Sequence, residues 1–378
     1  MTQAKPLSGK ILTKTFLLCS VFVLMALYFL AQRFIYGLGA VTHMNDGYPW
    51  GLWITYDVLV GTALACGGYA MALLVYVFNR GEYHPLVRPA LLTSLLGYTI
   101  GGVSIFVDVG RYWQAYNLVL PWFSQLNSVM FEVALCITTY VLVLWIEFAP
   151  ISLERFNQPR LLKILNRMVV VFIAVGVLLP TLHQSSLGLL VYIAGQKISP
   201  LWQTGLLPLL FLLSAITMGY SMVIFEAIIS ALTFRRPMEI KLLQGISAII
   251  SNLIGLYLVL RFGDLVWREE LRLAFKGDLK GNMFLIENLL LIFPMVALSK
   301  PFKMTKPRWL FVSAALMLLS GAVYRFNTYL IGYDPGPEWR YFPSVPETMI
   351  VLGFIALEIM GYLYVVKKYP VLSGAKKG

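Results

Sequence analysis

The chain has 378 residues, 59% of them hydrophobic and only 13% charged, with a mean hydropathy of +0.76. These proportions exclude a soluble globular class and indicate a polytopic membrane protein. The formal net charge of +12 does not point to nucleic acid, because the basic residues lie in short loops beside apolar runs, where membrane topology accounts for them.

The N-terminal run from Phe16 to Leu30 continues to Ile35 and lacks a small-residue cleavage site. It reads as a first spanning helix rather than a signal peptide, and is expected to stay on the chain. Windows of about 20 apolar residues give ten predicted spans and an all-α fold in one integral membrane domain. They fall at roughly 14–36, 52–78, 88–109, 126–148, 164–183, 205–233, 241–262, 282–299, 308–332 and 347–368. The eighth is short and carries Pro294.

The second span opens on Tyr48, Trp50, Trp53 and Tyr56, interleaved with Pro49 and Gly51, as where a helix enters the headgroup layer. Its later part holds Gly61, Ala63, Ala65, Gly67 and Gly68, small residues that let another helix approach. Between them lies Asp57, and a carboxylate at membrane depth normally faces a partner, a cavity or a ligand. Pro49-Trp50 and Pro200-Leu201-Trp202 each precede a helix of the same direction, a hint of internal duplication.

Ten spans put both termini on one side. That side gathers Lys5, Lys10 and Lys14; Arg80 and Arg88; Arg155, Arg160, Lys163 and Arg167; Arg235, Arg236 and Lys241; Lys300, Lys303, Lys306 and Arg308; and Lys367, Lys368, Lys376 and Lys377. This bias assigns both termini to the cytoplasm. Opposite, Arg261, Arg268, Arg272, Lys276 and Lys280 crowd one connection with Asp264, Glu269, Glu270 and Asp278. It reads as an amphipathic segment, a docking surface or simply a solvated loop. The other outer connections, 37–51, 110–125, 184–204 and 333–346, are poor in charge and rich in Gly, Pro, Trp and Tyr, and are expected to fold against helix ends or another subunit.

This topology gives each intramembrane charge a depth. Asp57, Asp108 with Arg111, Glu132, His183, Glu287 and Arg325 fall in the outer third; Glu358 lies near the middle of span ten and Glu226 toward the inner end of span six. Asp108 and Arg111 can equally be a local ion pair, Asp57 and His183 satisfied contacts between helices, and Glu147 and Arg80 snorkelling groups. Carboxylates graded in depth are also what a proton route needs, which makes Glu132, Glu226, Glu287 and Glu358 proton-transfer candidates with Asp108, Arg111 and Arg325.

Cys19, Cys66 and Cys136 each lie in an apolar run without a C-x-x-C spacing, so no iron–sulfur cluster or covalent haem is expected here. His43, His84 and His183 do not supply two histidines at one depth, so no bis-histidine haem is expected either. No metal site is predicted. The absence of G-x-x-x-x-G-K-[ST] argues against an ATP-driven pump. A quinone suits the outer cluster, with Trp50, Trp53 and Tyr56 as an aromatic slot and Asp57 and His183 as proton sources. The rival is a secondary transporter or cation channel with a carboxylate-lined pathway, which broken helices would favour.

The stretches PWGLWITYDVLVGTALACGG, VFNRGEYHPLVRPALL, DVGRYW, NSVMFE, EFAP, LPTLHQSSLG and LRFGD together resemble the NrfD-like (polysulfide reductase membrane subunit) family. Within it they are most similar to the membrane subunits of hydrogenase-2-type nickel–iron hydrogenases. The resemblance runs from about Gly9 to Tyr369. It implies two packed four-helix bundles with extra helices in a bacterial inner membrane, and a quinone site, with menaquinone the expected quinone, near the periplasmic face. It further implies a ferredoxin-like iron–sulfur subunit docked there, with the hydrogenase small and large subunits beyond. Carried over, the quinone pocket falls at Trp50 to Asp57, with His183 and Gln184 in the same neighbourhood. The b-type cytochrome label often given to such subunits conflicts with the histidine count.

Overall fold

Apolar runs long enough to cross a bilayer satisfy their backbone internally only as helices or closed barrels. The computed structural model, which describes residues 5–7, 9–156, 158–299 and 305–372, contains ten such helices. They are α1 (Lys14–Tyr36), α2 (Ile54–Val77), α3 (Val87–Asp108), α4 (Val129–Arg155), α5 (Pro159–Ile193), α6 (Leu207–Thr233), α7 (Ile240–Trp267), α8 (Leu279–Leu298), α9 (Pro307–Ile331) and α10 (Val345–Lys368). No strand occurs among the described residues. The chain is a multi-pass integral membrane protein. Lys300, Lys303, Lys376 and Lys377 lie outside the described residues.

Local chemistry fixes several helix starts. Thr13 accepts from Phe16 N at α1, Asp278 from Gly281 N at α8, and Ser344 and Glu347 form a reciprocal capping box at α10. Three helices outrun their predicted ends. α4 continues to Arg155 and α7 to Trp267, while α5 passes through His183 and on to Ile193. His183 is therefore inside a helix and not at its end. The polar run after it stays helical because Ser185 turns its hydroxyl onto Thr181 O (2.9 Å). Gly188 also admits the α6 backbone, since a Cβ there would meet Leu207 O at 2.5 Å. α8 is continuous through Pro294.

The helices α2, α3, α4 and α5 pack in a ring, as do α6, α7, α8 and α9, and the rings meet through α5 on α6 and α2 on α6 and α9. α1 and α10 pair with each other and lean on α3. The rings repeat one plan. Trp50 and Trp202, Thr62 and Ser214, and Gly67 and Gly219 are separated by one constant interval. Gly219 lies so close to α2 that a Cβ would meet Cys66 O at 2.5 Å. A second constant interval relates His183, Gln184 and Ser186 of α5 to Tyr324, Arg325 and Asn327 of α9.

One end of the molecule is basic and carries both terminal regions; the other is aromatic. At the aromatic end the connections fold on one another through Leu52 N to Tyr341 Oη (2.7 Å), Asn45 Nδ2 to Arg340 O (2.9 Å) and Ser199 N to Gly332 O (2.8 Å). The α3–α4 connection instead exposes Trp113, Trp122 and Phe123. The charged α7–α8 region is part helix and part connection, with Glu269, Arg272, Lys276 and Asp278 exposed. Arg261 lies within α7 and is buried, Arg268 pairs with Asp264 at 2.6 Å, and a 3-10 turn over Leu271–Phe275 lies within the connection to α8.

Candidate functional site

α2 is the least regular helix. It runs as π-helix over Ile54–Gly61, breaks at Ala65 and Cys66, and returns to π geometry over Leu73–Val77. π turns commonly mark functional sites. The break is bridged from α3: Gly68 N donates to Ser94 Oγ (2.7 Å) and the same hydroxyl donates to Ala65 O.

Beside this helix lies a cavity of about 430 Å³ between α2, α3, α6 and α10, reaching Thr15, Thr233 and Phe234 toward the basic end. Tyr56 and Asp57 line its end nearer the aromatic face, Glu358 of α10 its middle, and Glu226 of α6 its deeper part. Asp57 is 4% exposed and its Oδ2 accepts from Ser104 Oγ at 2.6 Å. Glu226 accepts from Tyr362 Oη. Glu358 has no hydrogen-bond partner among the described residues. No basic side chain among the described residues lines the cavity. An apolar chamber with a few directed carboxyl groups can hold a hydrophobic molecule by its body and address polar atoms at one end.

His183 and Gln184 do not line that chamber. They belong to a buried network on the side of α2 that carries Thr62 and Cys66. His183 Nε2 meets Tyr98 Oη (3.3 Å) and Gln184 Nε2 (3.1 Å), and its Nδ1 faces Leu179 O (3.2 Å). Gln184 donates to Thr62 Oγ1 at 3.0 Å and accepts from Arg325 Nη2 at 3.3 Å. Arg325 Nη1 donates to Ser214 Oγ at 3.1 Å. Glu132, half-buried, accepts from Ser186 at 2.8 Å on the same helix α5.

The second ring holds the counterpart of Glu132. Glu287 is buried, accepts from Trp202 Nε1 (3.1 Å) and Asn327 Nδ2 (2.6 Å), and pairs with Arg261 at 3.4 Å. Arg261 lies between the rings of Phe284 (5.3 Å) and Tyr324 (5.4 Å).

The predicted cluster thus divides. Tyr56 and Asp57 share the chamber with Glu226 and Glu358; His183, Gln184 and Arg325 share the network; Glu287 sits in its own ion pair. The two tryptophans form no slot. Trp50 donates to Tyr329 O (2.7 Å) and Trp53 to Glu347 O (3.3 Å), both buried, because an indole N–H inside the protein takes whatever carbonyl is in reach. Asp108 and Arg111 do not pair. Arg111 is exposed, and the cation near Asp108 is Arg33, which donates to Val107 O (2.7 Å) and Val109 O (2.6 Å) at the end of α3. Sequence reasoning missed Ser104, Tyr98, Thr62, Ser214 and Tyr362. Only Tyr362, one helical turn beyond Glu358, carried a spacing signal.

The family described as Polysulphide reductase, NrfD matches residues 40–333. A protein of Escherichia coli (strain K12) named "Probable Ni/Fe-hydrogenase 2 b-type cytochrome subunit" is 45% identical, covering 99% of this chain and 96% of its own. One of Nitratidesulfovibrio vulgaris named "Menaquinone reductase, integral membrane subunit" is 28% identical, covering 87% and 85%. The histidines here do not fit the haem that the first name implies. His183 has both ring nitrogens engaged inside its network, His43 contacts Phe342 O at the aromatic end, and His84 lies in a 3-10 turn at the basic end. By the extent of the family match and of its full-length relatives, the chain belongs to the NrfD polysulphide reductase family of integral membrane proteins.

Proposed function

We propose that the chain is the quinone-binding membrane subunit of a periplasm-facing nickel–iron hydrogenase in a bacterial inner membrane. The single observation that carries this reading is the chamber of about 430 Å³ with Tyr56 and Asp57 at one end and largely apolar walls below. Its volume lies in the usual range for small-molecule sites, and relatives are named for hydrogenase and for menaquinone reductase. In this reading a ferredoxin-like iron–sulfur subunit at the aromatic end delivers electrons, and the hydrogenase small and large subunits supply them. The termini and the basic end face the cytoplasm, as the basic bias supports.

The chain's own residues bind, orient and handle protons. Tyr56 packs against the quinone ring and Asp57, held by Ser104, addresses a carbonyl oxygen. Reduction of a quinone to quinol takes two electrons and two protons, and a carboxyl group within reach of the oxygen can pass a proton to it. Glu358 and the Glu226–Tyr362 pair extend the same chamber toward the basic end, which supports proton uptake from the cytoplasm. His183 and Gln184, with Glu132, serve the opposite side of α2.

Asp57→Asn should lower hydrogen-to-menaquinone electron transfer by about 10²-fold or more, the scale of a lost proton-transfer group, while hydrogen oxidation with a soluble dye stays intact. Loss of both activities, or of neither, would remove Asp57 from this role. The irregular α2 beside a carboxylate chamber also favours a secondary transporter or cation channel. Purification in mild detergent separates the two, since only the first predicts co-purifying nickel and iron–sulfur subunits.

A further inference from the structure

Arg325 is fully buried, at 0% exposure, and no carboxylate among the described residues is within ion-pairing distance of it. Its hydrogen bonds go to neutral groups: Ser214 Oγ, Met218 Sδ, Gln184 Oε1 and the carbonyls of Gly321 and Phe211. Its Nε has no partner among the described residues. The titratable side chains around it are Tyr324 and Tyr329 of α9, Tyr257 of α7 and Cys66 of α2, with His183 of α5 reached through Gln184. None of these is anionic at neutral pH in its ordinary state.

Packing does not require this charge. In the first ring the equivalent residue is Gln184, whose neutral amide makes the matching bond to Thr62 that Arg325 makes to Ser214. An uncompensated guanidinium at membrane depth is costly and is retained where a charge is needed. Its place suggests the need. On one side lies the network of Tyr98, His183 and Gln184, continued by a cavity of about 10 Å³ bordered by Ser214, Tyr257 and Tyr324, room for about one water. Across α2, whose Thr62 belongs to that network and whose Asp57, Gly61 and Ala65 line the chamber, lies the carboxylate system.

We propose that Arg325 is a proton barrier: its fixed charge, without a counter-ion and held against Gln184 where the two rings meet, keeps excess protons out of the Tyr98–His183–Gln184 network, so that none passes by Thr62 to the carboxylate chamber beyond α2. Arginine does not release its proton in proteins and repels cationic carriers, as in other pores where an arginine excludes protons. The inference requires only a membrane-spanning chain and does not rest on the quinone reading.

The test is passive proton entry into liposomes holding the full-length chain with its co-purifying subunits, without hydrogen or quinone. A potassium diffusion potential drives entry, and an internal pH dye reports it. Arg325→Gln, which copies the residue of the first ring, should raise proton entry about tenfold or more. Gln184→Glu, a near-isosteric carboxylate at the atom now 3.3 Å from the guanidinium, should leak as well by neutralising it. Tight vesicles with both Arg325→Gln and Gln184→Glu would overturn the proposal. If Arg325→Gln fails to accumulate, Gln184→Glu alone decides. A failed quinone assay beside an intact leak phenotype would count against the quinone reading only.

Discussion

Glu132 and Glu287 hold equivalent places in the two rings, and what faces each sets its energetic role. Glu287 is 3% exposed and opposite a buried Arg261, whereas Glu132 is half-buried with Ser186 as its partner. Removing one member of a buried pair strands the other charge, so Glu287→Gln should cost about 3–5 kcal/mol. Glu132→Gln removes one hydrogen bond to a neutral hydroxyl and should cost about 1 kcal/mol. Thermal unfolding in detergent checks the contrast, and equal losses would contradict it. Asp57 was legible as a carboxylate in an apolar run because such a group is rare at that depth. The tasks of Trp50 and Trp53 were not, since their N–H groups are satisfied by carbonyls nearly three hundred residues away along the chain.

At the scale of elements, hydropathy located the ten helices because each must bury its own backbone polar groups. It could not show that α5 runs on past His183, because the run HQSS reads as a helix exit until Ser185 is seen bonding to the preceding turn, Ser186 to Glu132 and the Gln184 amide within the buried network. Nor could it show the break in α2, which depends on a hydroxyl from α3. That repair makes a prediction: Ser94→Ala leaves Gly68 N and Ala65 O without their bridge. Stability should fall by about 1–3 kcal/mol, read as a lower unfolding temperature, and an unchanged transition would show that the break needs no bridge. Gly219 is a tighter constraint. Any Cβ there meets the Cys66 carbonyl, so Gly219→Val should reduce the amount of folded protein far more than Gly255→Val, where nothing lies within 4 Å.

For the whole molecule, the repeat between the rings was only hinted at by two tryptophans, because the equivalences rest on spacings spread across four helices. The orientation proposed from the basic bias is open to direct measurement. An alkaline phosphatase reporter joined after Gln203 should be active outside the cytoplasm, and a fluorescent protein joined after Leu372 should fluoresce inside. The opposite pattern would invert the molecule and move the proposed docking end with it.

One wall of the chamber differs in kind from the others. Glu358 and Tyr362 stand on α10, which with α1 forms a two-helix leaf that leans on α3 and belongs to neither ring. α1 is buried over only 11% of its apolar window, so the outer side of the leaf is free to meet acyl chains. Swinging that leaf outward would open a lateral seam to the surrounding lipid while every contact inside the two rings stayed in place. Such an opening would let a greasy molecule reach the chamber sideways, from the medium in which it already dissolves, without passing through water.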